Sequence, residues 1–269
     1  INSQMDGRFP GRHSEPNKEN LIQISKFLKI SQQKDIGIAL DGDADRVIFL
    51  DESGEIVDPI RLLTLLAKKY IQENTLLSEE MKVVTPVNSS SLIEDVLKPL
   101  GCEVIRTEVG DIKVSLALQE YGGFLGGETS GTYIWPKFHF GPDSIVTIAV
   151  ILKMITKSGK SLKELLSEIP EYPYYAAKFK LLKDIPFTEE IHQKIIDEMN
   201  HSFDNLGKEN IKITRLDGCR FDYADGWLLI RRSGTSPYLR ISGESTKDIN
   251  NSIEMNNIAM KNMQKLNLI

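Results

Sequence analysis

An α/β fold is predicted, with mixed α/β sheet domains followed by an α+β C-terminal domain, and three observations predict it. Up to about residue 168, short apolar runs alternate with amphipathic stretches, as in parallel-sheet α/β units. After Pro170, apolar runs crowd together at 210–216, 219–223 and 227–231, flanked by helical patterns. The 269 residues are 41% hydrophobic, which gives ample core for more than one domain.

The elements follow in order. Asn20 to Ser31 has apolar residues at helical spacing. Ile36 to Leu40 reads as a buried strand that delivers Asp41 to its end. Val47 to Leu50 is a second strand, closed by a turn at Asp51–Gly54. Pro59 to Gln72 is a helix with one apolar face. A strand at Lys82 to Thr85, a helix at Ser90 to Leu100, a strand at Cys102 to Thr107 and a helix at Asp111 to Tyr121 come next. Gly123 to Gly126 is a strand, and Asp143 to Thr156 a long apolar helix. Beyond Pro170, Tyr174 to Leu182 is a strand and Thr188 to Phe203 a helix. Pro237 to Ser242 adds a further strand, and Thr246 to Lys265 a last helix.

Composition narrows the function classes. Charged residues make up 26% of the chain and the net charge is −5. The basic residues are dispersed, which argues against a nucleic-acid surface. No apolar run approaches the roughly 18 residues of a membrane-spanning helix, so no membrane partner is expected. The two cysteines, Cys102 and Cys219, lack metal-ligand spacing, and a reducing cytoplasm is the expected compartment. The histidines are dispersed. His192 and His201 are expected at the surface, and His139, near a glycine loop, is the one to test.

Three segments carry chemistry. Asp41, Asp43 and Asp45 alternate after an apolar strand, so a turning backbone can converge their carboxylates on a hard divalent cation. An acidic turn and a calcium hand are the rival readings. The calcium hand fails because Arg46 stands where that loop needs glycine. Arg46 can pair with the carboxylates or hold a phosphate beside the metal, and guanidinium geometry favours the phosphate. Gly126–Gly131 is a glycine-rich loop in which Glu128 and Ser130, two apart, can bracket vicinal sugar hydroxyls. A plain hairpin turn fits its spacing equally well. Arg231–Arg240 places Arg231, Ser233, Gly234 and Thr235 in one loop, where backbone amides and hydroxyls can form an anion nest.

These residues resemble the α-D-phosphohexomutases in four segments, in order and spacing. They are Asp6–Pro16 (Asp-Gly-Arg-Phe-Pro-Gly-Arg-His-Ser-Glu-Pro), Asp41–Arg46, Gly127–Gly131 and Arg231–Pro237. The resemblance implies residues 1–57 as the end of domain two with the metal loop. It implies 58–170 as domain three with the sugar loop and 171–269 as domain four with the phosphate loop. It further implies phosphoryl transfer between C1 and C6 of a hexose through a bisphosphorylated sugar. Mg²⁺ on Asp41, Asp43 and Asp45 would assist, with Arg46 catalytic. Glu128 and Ser130 would contact the sugar, and Arg231, Ser233, Gly234, Thr235 and Arg240 the phosphate. The family's phosphoserine lies in its first domain. That residue is absent from this sequence, so the expected partner is a serine-bearing domain on the same or a separate chain. The chain alone is expected to be inactive as an isomerase. A non-catalytic sugar-phosphate-binding module is the alternative. Thr132 and Arg232 depart from residues common in the family, which leaves the sugar open among glucose, mannose and glucosamine phosphates.

Overall fold

The computed structural model of the protein describes residues 6–31, 33, 35–74, 81–183, 186–234 and 236–269. These fall into two compact units, Ile1–Pro170 and Glu171–Ile269.

The first unit opens with α1 (Ile22–Ser31), which packs Leu28 against β1 (Gly37–Leu40) and β2 (Val47–Leu50). These two strands are antiparallel, with Gly37 opposite Leu50 and Leu40 opposite Val47. That pairing departs from the expected parallel pattern, because six loop residues suffice for a hairpin but not for a crossover. The tip of the hairpin is the acidic loop.

Next comes α2 (Pro59–Glu73). Asp58 starts it by accepting from the amides of Ile60 and Arg61, and Pro59 sits where no amide is needed. The remaining elements are β3 (Met81–Pro86), α3 (Leu92–Leu97), β4 (Cys102–Thr107), α4 (Asp111–Tyr121), β5 (Leu125–Gly127), β6 (Tyr133–Ile134), α5 (Ser144–Ser158) and α6 (Leu162–Leu166). The helix expected over 90–100 ends at Leu97. A 3₁₀ turn at Lys98–Leu100 replaces its last part, because Pro99 cannot supply a helical amide. β6 and α6 were not anticipated; each is too short to show a period.

The sheet order is β4-β3-β5-β6, with β3 parallel to β4 and β5, and β6 antiparallel. Val83, Val84 and Leu125 are fully buried in it. The strand ends therefore send the loops after β3, β4 and β5 to one edge, where open α/β sheets receive ligands.

The second unit has β7 (Tyr174–Lys180), α7 (Glu189–Asn205), β8 (Lys212–Thr214), β9 (Cys219–Tyr223), β10 (Gly226–Arg232), β11 (Tyr238–Ser245) and α8 (Ile249–Lys265). Its five strands run β7-β11-β10-β9-β8, antiparallel throughout. One face packs Phe221, Leu228, Ile230, Leu239 and Ile241 against Ile195, Met199, Phe203, Met255, Ala259 and Met263 of the two helices. On the other face Trp227 is buried beneath Arg220, whose guanidinium lies 4.2 Å from the ring centre. The Trp227 indole donates to Glu244 at 2.9 Å.

Among the described residues, no helix is long and apolar enough to cross a membrane. Both cysteines are buried, and burial pushes their thiols up to about 12, so neither is poised as a nucleophile.

Candidate functional site

The hairpin between β1 and β2 is closed by the Asp41 amide, which donates to the Arg46 carbonyl at 3.2 Å. Ala44 turns the chain with φ of 62°. The result brings one carboxylate oxygen each from Asp41, Asp43 and Asp45 within 4.8 Å of one another. Asp41 is buried, Asp43 exposed and Asp45 between. Arg46 is tied to this cluster: its Nε donates to Asp41 Oδ2 at 2.7 Å, and its Nη1 to Glu15 at 3.1 Å. Both roles considered for Arg46 thus begin from an ion pair.

The carboxylates are poised unequally. Burial works to raise Asp41, but the Arg46 amide, the facing Asp45 and the Arg46 charge hold it below the ordinary carboxylate range. Burial pushes Asp45 up, and the neighbouring charges of Asp41 and Asp43 add to this. Among the described residues Asp45 Oδ1 is buried without a hydrogen bond, its nearest cation being the Arg46 Nε at 3.5 Å. A buried carboxylate oxygen aimed into an acidic cluster is what a divalent cation would satisfy, and three oxygens suit Mg²⁺ or Ca²⁺.

The segment before this loop braces it. The Arg12 guanidinium donates to the carbonyls of Leu40, His13 and Ser14. A Cβ on Gly42 would lie 2.9 Å from the Phe9 ring, so glycine lets that ring close on the loop.

The glycine-rich loop follows β5. Glu128 is buried and accepts from the Gly110 amide at 2.8 Å, at the start of α4. Burial raises its carboxyl, with the Gly110 hydrogen bond opposing. Ser130 Oγ faces Glu128 Oε2 at 3.4 Å and Thr132 Oγ1 at 3.1 Å. The two residues expected to act together do share one side of the loop. A backbone bond from the Val47 amide to the Gly131 carbonyl, 2.9 Å, joins this loop to the acidic one. Ser144 Oγ adds a second tie, donating to the Ala44 carbonyl at 2.5 Å.

In the second unit, Arg231 and Arg240 stand opposite each other next to the turn of the β10–β11 hairpin. Arg231 is largely buried and paired with Asp217 at 2.7 Å. Ser233 is buried; its amide donates to the Tyr238 carbonyl at 2.8 Å and its hydroxyl accepts from Ser236. Gly234 is exposed at the tip. Thr235 lies outside the described residues. Lys113, on the first turn of α4, is exposed and pairs with Glu108 at 2.6 Å.

Among the histidines, His139 is exposed and hydrogen-bonded to Asp143 at 2.8 Å, next to the start of α5. His192 is a correction: its side chain is only 17% exposed, packed edge-on against Phe187. Three contributors escaped the sequence reading: Glu15 on Arg46, the Gly110 amide on Glu128, and Asp217 on Arg231. Asp217-Gly218 reads only as a turn, and pairings across 14 or more residues leave no local signal.

Comparison with known proteins bears on these loops together. Residues 58–172 match the family model for phosphoglucomutase/phosphomannomutase alpha/beta/alpha domain III. Residues 1–54 match that for alpha/beta/alpha domain II, and 185–256 that for the C-terminal domain. A phosphoglucosamine mutase of Methanococcus vannielii is 38% identical over 266 residues, spanning 96% of this chain and 57% of that protein. A phosphoglucomutase/phosphomannomutase of Thermococcus kodakarensis is 36% identical over 92% of this chain and 51% of that protein. The crystal structure of a phosphoglucomutase/phosphomannomutase family protein from Burkholderia thailandensis is similar with a TM-score of 0.79 at 26% identity, covering 97% of this chain and 53% of that one. An Aspergillus fumigatus N-acetylphosphoglucosamine mutase, solved with GlcNAc-6P and magnesium, shares the fold (TM-score 0.64, 16% identity, 90% of this chain and 52% of that one). The chain spans about half the length of these relatives.

Proposed function

The chain belongs to the α-D-phosphohexomutase family, and from that membership and the loop geometry we propose that it forms part of a Mg²⁺-dependent isomerase. The reaction proposed is the interconversion of hexose 1-phosphate and hexose 6-phosphate. The observation that carries the reading is the convergence of Asp41, Asp43 and Asp45 within 4.8 Å. That cluster lies on a loop hydrogen-bonded to the one bearing Glu128 and Ser130.

Asp41, Asp43 and Asp45 would hold the metal, which supplies positive charge beside the transferring phosphoryl group. Arg46, oriented by Asp41 and Glu15, offers its guanidinium to phosphate oxygens at the same place. Glu128 and Ser130 orient the sugar by accepting from its hydroxyls. Arg231 and Arg240, with Ser233, Gly234 and Thr235, hold the distal phosphate. The family resemblance places the phosphoserine in a first domain, and the family models that match this chain are those of domains II and III and the C-terminal domain. The chain by itself is therefore proposed to bind and not to turn over. Residues 1–57, 58–170 and 171–269 are proposed as the end of domain two, domain three and domain four. Glucosamine phosphate is the first substrate to try, because of the phosphoglucosamine mutase relative; glucose and mannose phosphates follow.

The test is Asp43→Asn in the full-length enzyme. Asp43 is exposed, so the fold should survive the change. Turnover should fall by about two orders of magnitude or more, as when one electrostatic partner of a developing charge is removed. Mg²⁺ titration of the variant by calorimetry should show weakened binding. Unchanged turnover rejects the metal assignment, and sugar-phosphate binding without any turnover in the wild-type full-length protein would leave a non-catalytic binding module.

A further inference from the structure

Three cations stand abreast on one face of the second unit's sheet. The register pairs Arg231 with Arg240 and Arg240 with Lys178, on β10, β11 and β7. Side chains paired this way leave the same face, with Cβ atoms about 5 Å apart. Their sequence neighbours Ile230, Leu239, Ile241 and Phe179 point to the core under the helices, so the row occupies the opposite face.

Like charges placed directly opposite destabilise a sheet. Only Arg231 is offset, by Asp217 at 2.7 Å. Arg240 and Lys178 are exposed, and among the described residues neither has a carboxylate partner. The Lys178 ammonium lies 5.6 Å from the centre of the Tyr238 ring. Tyr238 is the residue whose carbonyl accepts from Ser233, so Lys178 leans toward the hairpin tip.

Charge balance then decides. A phosphate monoester carries close to two negative charges at neutral pH. Arg231 and Asp217 together are neutral, so Arg231 alone cannot balance it. Arg240 and Lys178 supply the two missing positive charges. Lys180, two residues along β7 and exposed on the same face, stands opposite Tyr238, one step nearer the tip, and is the competing assignment.

We propose that Lys178 is a further phosphate-binding residue, contacting together with Arg240 the phosphate group received at the Arg231–Gly234 loop. This rests on the phosphate-site reading above. It adds a residue from a strand that contributes no part of the loop motif.

The experiment is titration of the isotope-labelled 269-residue chain with inorganic phosphate and, separately, with glucosamine 6-phosphate, following the Ser233 and Gly234 amides. Lys178→Gln should weaken both by about three- to tenfold. Lys178→Arg should restore them. Lys212→Gln removes the same charge from β8, at the far edge of the same face, and should change affinity by less than about twofold. Unchanged affinity in Lys178→Gln, or equal weakening by both glutamine variants, overturns the proposal. A larger loss of affinity in Lys180→Gln than in Lys178→Gln overturns the choice of Lys178. Arg231→Ala separates it from its premise. If that variant binds as the wild type does, or if the wild type shows no shift at millimolar ligand, the phosphate site itself is wrong. If Arg231→Ala abolishes binding and Lys178→Gln leaves it intact, only the Lys178 assignment fails.

Discussion

In the first unit, three carboxylates crowd within 4.8 Å around one guanidinium, and the loop that carries them is fixed from several sides. The Val47 amide bonds to Gly131, Ser144 bonds to Ala44, and Arg12 bonds to Leu40. In the second unit, Arg231 and Arg240 stand opposite each other with Asp217 as the paired carboxylate, and their loop is the tip of a hairpin. That tip is closed by Ser233 bonds to Tyr238 and Ser236. Both loops concentrate charge of one sign, at a cost that a ligand of the other sign would relieve. They differ in how much structure holds the charge in place. Mg²⁺ demands near-ideal octahedral geometry, so the site proposed for it would need bracing. A phosphate takes hydrogen bonds over a broad range of directions, and a hairpin tip suffices.

Breaking the brace should produce the largest effect. Gly131 has φ of +88°, and a Cβ there would lie 2.6 Å from the Val47 carbonyl. Gly131→Ala therefore strains the backbone and pushes apart the hydrogen bond that joins the two loops. We expect a loss of about 2–3 kcal/mol in the first unit, with weaker Mg²⁺ binding. Urea melting followed by calorimetric Mg²⁺ titration checks both. A variant that melts and binds as the wild type does would show that the loops are not braced against each other.

That asymmetry also explains what was legible in the sequence. The acidic triad could be read because alternation along a strand end is a local pattern, and the strand was marked by Ile36–Leu40. The hairpin could not be read as antiparallel, because Val47–Leu50 carries no mark of direction. The Arg231–Arg240 loop could be read from its composition. The row beneath it could not: Arg240 meets Lys178 through a register between residues 62 positions apart in the chain. Elements with a full period, such as Asp111–Tyr121 and Cys102–Thr107, were placed to the residue. The two-residue β6 was invisible because it exists only by pairing with β5. Asp41 and Glu128 were identified by type, but their burial, and so their perturbed acidity, depended on the packing.

Acidity gives a second way to sharpen the comparison. Burial raises the Glu128 carboxyl above its ordinary value of 4.5, so the folded state holds that proton more tightly than the unfolded chain does. Stability then falls as pH rises from 4.5 through the raised folded value. Glu128→Gln keeps an oxygen for the Gly110 amide and removes the titration. Its stability relative to the wild type should increase with pH across that window, without Mg²⁺, by less than the Gly131 effect. Parallel pH profiles for the two proteins in urea melting would mean that Glu128 ionises freely in the fold.

The smallest effect on stability should come at the other glycine. A Cβ on Gly234 meets nothing within 4 Å, and its backbone is not in the left-handed region. Nothing in the fold of the second unit asks for glycine there. Alanine should leave the melting transition unchanged or raise it by up to about 1 kcal/mol, since it narrows the unfolded ensemble. If the position is a close-approach site for phosphate, the same methyl should stand between the anion and the backbone amides. Phosphate affinity should then fall several-fold while stability holds. A loss of both would place the role of Gly234 in folding, and a loss of neither would remove it from the phosphate site. The two glycines thus separate a residue held by its neighbours, Gly131, from one with open space around it, Gly234.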